Sequence, residues 1–198
     1  MGIRENHLKA LFYHDPATVL RKLRALERLV AAADVDPLVR RLRTQELKKY
    51  REWRDAAILT YGLGLAQGVH MGYATEEGSD YDFVAGWLDG GVAHFCPVQL
   101  KELVPEDLNP SASLAALLAG LGKYGPRTDT VLAVKLNRKS GLELVDLPPI
   151  PFKQLWFFWA SASDGARWCL YGDALGEPGY FSFDHPDDPA DATDQLAR

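Results

Sequence analysis

At 198 residues and 47% hydrophobic, the chain is long enough for one decorated domain around a sizeable core, and its composition is ordinary for a soluble globular protein. No stretch is long and apolar enough to span a bilayer, and the two cysteines, Cys96 and Cys169, form no Cys-x-x-Cys pair and suggest no disulfide framework. The net charge of -5 at pH 7 argues against a nucleic-acid binder on average, yet residues 1–55 hold 13 Lys/Arg against 8 Asp/Glu, a surplus of five positive charges. A run of that kind is most often a solvated helix face, so it permits a polyanionic partner without arguing for one. The leading residues Met-Gly-Ile-Arg-Glu-Asn-His lack an apolar signal core, and the expected setting is reducing and cytoplasmic, with no membrane partner.

A short lead carries Leu8, Leu11, Phe12 and Tyr13, and Asp15-Pro16 then supplies an N-cap and a proline at the first helical position. Val19, Leu23, Leu26, Leu29 and Val30 recur at helical spacing after it. Asp36-Pro37 repeats the start signal and predicts a second helix running through Leu42, Leu47, Tyr50, Trp53 and Ala57 toward Gly62, Gly64 and Gly68. Residues 69–75 read as a first strand. Two apolar and aromatic runs follow, separated by Asp89-Gly90-Gly91, and glycine at such a turn is a hairpin signature because it reaches positive φ. Asn109-Pro110 predicts the cap of a third helix reaching about Tyr124, and residues 130–136 read as a mostly apolar strand. A strand, helix, strand passage of that length favours a parallel right-handed crossover, and makes Val131, Ala133 and Val134 core residues.

Residues 142–147 suggest an edge strand before the proline-rich link Pro148-Pro149-Ile150-Pro151. Residues 155–160 and 167–171 then read as a tryptophan-rich hairpin, in which Trp156, Trp159 and Trp168 serve packing sooner than base stacking. From 184 the tail is acidic, holds prolines and reads as disordered. The expected organisation is an N-terminal helical extension over 1–36, an α/β core over 37–147, a C-terminal β-hairpin addition over 148–183 and a tail over 184–198.

Within the hairpin, alternation puts Gln99 and Lys101 on one strand face and brings Asp82 toward them. His94 and Cys96 fall on the opposite face, as packing residues. The plain alternative is a hairpin whose exposed end carries solvated polar side chains. Five histidines without a close Cys/His cluster give no zinc site, and Gly120-x-Gly122-x-x-Gly125 closes a helix where a dinucleotide site needs to open one, so no cofactor-binding loop is expected.

Asp82, followed on the next strand by Gln99-Leu100-Lys101, resembles the signature of the PD-(D/E)xK restriction-endonuclease-like nuclease superfamily, in its Gln-x-Lys variant. The resemblance implies a restriction-endonuclease-like α/β core of helix, three strands, helix and strand, with a mixed sheet. It also implies phosphodiester hydrolysis of nucleic acid assisted by Mg²⁺ or Mn²⁺. Asp82 would anchor the ion, Gln99 would offer a neutral amide oxygen, and Lys101 would orient water and steady negative charge. The superfamily further implies, in some members, an acid from the helix before the first strand. Stepping back roughly 20 to 23 Å from that helix's end near Gln67, at about 1.5 Å per residue, selects Glu52 over Glu46, against its plain role as a surface glutamate. A homodimer is compatible with this reading. The alternative from another class is a catalytically silent protein of the same fold that acts as a binding or regulatory module.

Overall fold

The structure is a computed structural model that describes residues 3–36, 39, 42–76, 81–123, 127–138 and 149–186. The chain is mixed α/β, with one seven-stranded sheet whose strands lie in sequence order. The helices are α1 (Ile3–Ala10), α2 (Pro16–Ala32), α3 (Lys48–Gln67) and α4 (Leu114–Ala119), the last continuing into a 3-10 turn over Gly120–Lys123. Among the described residues no helix is long and apolar enough to cross a membrane.

Local chemistry accounts for most of the helix ends. The Asp15 carboxylate accepts from the Thr18 N–H at 2.7 Å and Pro16 occupies a position that needs no donor, so α2 starts where the sequence expects. α1 was not expected; Leu8 anchors it by packing with Tyr13, Tyr81 and Val84. The expected unbroken helix from Asp36-Pro37 is corrected in its continuity: Pro37 lies outside the described residues and Val39 is helical, but Leu42 stands at φ 54° and α3 begins only at Lys48. A leucine in the left-handed region cannot continue an α-helix. That turn is held from both sides, by Arg51 donating to the Leu42 carbonyl at 3.2 Å and by Arg43 on Glu102. α3 then runs past Gly62 and Gly64 and ends at Gly68, with φ 66°.

The third expected helix is also shorter than its signals suggested. Asn109 folds its side-chain oxygen onto Ser111, at 2.9 Å to the hydroxyl and 3.2 Å to the N–H, and the cap passes to Ser113, which accepts from the Ala116 N–H. An Asx turn of this kind satisfies the backbone locally and competes with helix initiation.

The strands are β1 (Met71–Ala74), β2 (Phe83–Asp89), β3 (Val92–Leu103), β4 (Arg127–Leu136), β5 (Phe152–Ala160), β6 (Arg167–Gly172) and β7 (Gly179–Asp184). β1 to β3 pair antiparallel, β3, β4 and β5 run parallel, and β5 to β7 return to antiparallel pairing. The β2–β3 turn uses Gly90 at φ 54° and Gly91 at φ 81°, the two positive values a two-residue hairpin requires. α4 joins the parallel pair β3 and β4, which gives the helix, three strands, helix, strand order over α3 to β4. The expected C-terminal hairpin is corrected to three strands: β7 was missed, and β5 pairs with β4, so these strands extend the same sheet. The edge strand expected over 142–147 and the tail over 187–198 lie outside the described residues.

α3 packs Ala56, Ala57, Ile58 and Leu59 against Phe83, Val98, Val131, Ala133, Phe158, Leu170 and Phe183 on one sheet face. α4 supplies Leu118 to the other face, against Leu132, Val134, Leu155 and Phe157. Each fully buried Leu, Ile or Phe side chain contributes roughly 1.5–3 kcal/mol. Val131, Ala133 and Val134 are all buried, as expected for strands inside a sheet. Trp168 is buried within the α3-side core, Trp156 packs against that core and Trp159 against the α4-side one.

Candidate functional site

Asp82 stands one residue before β2, where β2 and β3 part. Its N–H donates to the Val98 carbonyl at 2.9 Å, beside the rung in which Phe83 pairs with Val98. Beyond that point no strand among the described residues pairs with β3 on this side, and the Asp82 Oδ2 accepts the Leu100 N–H at 2.6 Å. The same oxygen accepts from the Gln99 Nε2 in a short hydrogen bond. Gln99 is itself 8% exposed, so its amide and the aspartate satisfy each other in a site with little water.

Across from this pair, the first half of α3 brings Glu52, Trp53 and Ala56 against Thr75, Asp82, Phe83 and Leu100 around a cleft of about 10 Å³. That is room for about one water molecule or an ion of similar size. Glu52 also stands 3.4 Å from the Lys48 ammonium, an i,i+4 pair at the surface. Glu46, the competing acid, is exposed and absent from the cleft wall. Lys101 follows Gln99 by two residues on the same strand face, about 7 Å along β3, and makes no ion pair with another described residue. Of the four residues expected from the sequence, Asp82 and Gln99 are thus in contact, Glu52 shares the cleft wall with Asp82, and Lys101 lies alongside.

Among the described residues no three His, Cys, Asp or Glu side chains gather as a metal site. The Asp82 cleft offers two carboxylates, Asp82 and Glu52, whereas Gln99 does not line it: alternation along β3 puts Leu100 on the α3 side and Gln99 on the other face, with Leu103. Two carboxylates are hard oxygen donors of the kind Mg²⁺ takes while keeping several waters, so the cleft residues fit such an ion. Burial pushes the Cys96 thiol up to about 11, and Cys169 is buried against the Tyr180 hydroxyl at 2.8 Å.

A second polar constellation, which sequence reasoning missed, lies on the α3 side at the carboxyl ends of β3 and β4. Lys135 is 3% exposed; its Nζ stands 2.7 Å from the Asp55 Oδ1 and 5.6 Å from the centre of the Trp168 ring. Glu102 accepts a fork from Arg43, at 2.8 and 2.5 Å, and a further bond from the Asn137 Nδ2 at 2.6 Å, with Arg51 at 3.9 Å. Arg54 donates to Glu27 at 2.7 Å and holds its Nε 3.5 Å from Asp55.

Burial lowers the Lys135 ammonium below its usual range, and Asp55 offsets only part of that. Burial alone would raise Glu102, but the bonds from Arg43 and Asn137 and the nearby cations hold it below the usual carboxylate range. Burial likewise opposes the Arg54 charge, yet Asp55 and Glu27 raise its pKa. The one signal in the sequence was a lysine inside the apolar run of residues 130–136; its partner, 80 residues away, requires the helix-to-sheet register.

No family model, no curated protein and no solved structure matches the chain.

Proposed function

We propose that this chain is a nuclease-like protein with a restriction-endonuclease-like core, hydrolysing phosphodiesters of nucleic acid with Mg²⁺ or Mn²⁺. The observation that carries the proposal is the meeting of Asp82 with Gln99 where β2 and β3 part, with Glu52 across the same ion-sized cleft. The bond from the Leu100 N–H pins the Asp82 carboxylate, so the anchoring ligand is pre-organised. Glu52 adds the second negative charge. The bound ion would polarise the attacked phosphate and steady the charge that develops on it. Lys101 carries a donor and a positive charge on the face of Gln99, suited to orienting water and stabilising charge in the transition state and unable to act as a ligand.

One observation favours a second reading. Gln99 donates to Asp82, so the carboxylate is satisfied within the protein, as a silent binding or regulatory module of the same fold would have it. Calorimetric titration with Mn²⁺ separates the two. The hydrolase reading requires binding by the parent and loss of binding in Asp82→Ala. Absence of binding in the parent supports the silent module.

A further inference from the structure

The parallel strands β3, β4 and β5 all deliver their carboxyl ends to one side of the molecule, and a cleft opens there that shares no residue with the Asp82 cleft. Pro105 and Asp107 follow β3, Asn137 follows β4, Ala160 ends β5 and Ser163, Asp164 and Gly165 follow it, and all contribute to a cavity of about 640 Å³. A second cavity of about 330 Å³ shares Arg24, Asp164 and His185 with it, so the two form one cleft between α2 and the β5–β6 turn. Crevices outside the carboxyl ends of parallel strands are where open α/β sheets take ligands, and this volume suits a small molecule of nucleotide size.

Charge indicates which ligand. Two groups of ion pairs stand at and behind the wall, Arg24, Arg54 and Lys135 with Glu27 and Asp55, and Arg43 and Arg51 with Glu102; together they hold five cations and three carboxylates, of which Arg51, Asp55 and Glu102 lie behind the lining. Glu27, the most exposed of the eight, is only 28% exposed, so two positive charges remain in excess in a largely desolvated group. Uncompensated buried charge is costly, and the buried Arg54 Nε makes no hydrogen bond within the protein, its nearest carboxylate, Asp55, standing 3.5 Å away. Along α2, Arg21, Arg24 and Arg28 extend the basic wall on one helical face. Asp107, Asp164 and Asp184 lie on the exposed rim, where water screens them; they also disfavour a chain of further phosphates.

We propose that this cleft binds a phosphate monoester, whose charge of about -2 at neutral pH matches the excess. The group belongs either to a free nucleoside monophosphate or to the 5′-phosphate of a nucleic-acid strand. The cation set is rigid because the buried carboxylates hold it from behind, so binding needs little reorganisation.

The test is calorimetric titration of the full chain, without divalent metal, against AMP and against an oligothymidylate with and without a 5′-phosphate. Binding of AMP identifies the free nucleotide, and binding of only the 5′-phosphorylated strand identifies the strand end. Either must weaken about tenfold or more in Arg24→Gln, since one charge-assisted bond is lost. Arg28→Gln on the exposed part of the wall serves the same purpose should Arg24→Gln not fold. Failure of both phosphate probes to bind at millimolar concentration, equal binding of the unphosphorylated strand, or unchanged binding in a folded variant overturns the proposal. Because metal is absent throughout, none of these results depends on hydrolysis at Asp82.

Discussion

The Asp82 carboxylate has two duties, and they separate by experiment. As acceptor for the Leu100 N–H and the Gln99 amide it closes the free edge of β3, so Asp82→Ala should cost about 1–3 kcal/mol in urea unfolding whatever the protein's activity. The buried ion pairs allow sharper statements. Lys135→Met leaves the buried Asp55 with only the longer contact to Arg54 and should destabilise by up to about 3–5 kcal/mol, whereas Lys135→Met combined with Asp55→Leu should recover most of that loss in a double-mutant cycle. Glu102 sets the acid limb. Its folded-state pKa lies below the unfolded value, so its contribution is fully present above the unfolded pKa and is lost as pH falls through the folded one. Thermal midpoints measured from about pH 6 down to about pH 3 should fall more steeply in the parent than in Glu102→Gln.

At the scale of elements, two glycines make opposite predictions. An added Cβ at Gly62 in α3 would collide with the Phe183 ring and come within 2.9 Å of the Leu170 Cδ1, whereas at Gly120 nothing lies within 4 Å. Gly62→Ala should therefore lose about 1–3 kcal/mol despite the better helix propensity of alanine, while Gly120→Ala should gain about 0.5–1 kcal/mol. The elements legible from sequence were those with local chemistry: Asp15-Pro16 at α2, and Asp89-Gly90-Gly91 between β2 and β3. Those that were missed depend on distant partners. The break at Leu42 is held by Arg43 on Glu102, 59 residues away, and α1 is a short polar helix that needs Tyr81 and Val84 to pack against. β7 lies after a glycine- and proline-containing segment that reads as loop, and only β6 makes it a strand.

For the molecule as a whole, hairpin register made the contact of Asp82 with Gln99 readable, and helix length placed Glu52 on the cleft wall with Asp82. The ion network and its cleft were not readable, since Asp55, Glu102 and Lys135 come from three elements whose meeting depends on the packing of α3 across the sheet. The central claim is the hydrolase at Asp82. Its most direct test is cleavage of end-labelled single- and double-stranded DNA and RNA by the parent and by Asp82→Ala, side by side, with Mg²⁺ or Mn²⁺. The account predicts metal-dependent cleavage by the parent of at least one substrate and none above background by the variant; no cleavage by the parent with either metal, or equal cleavage by both proteins, would contradict it.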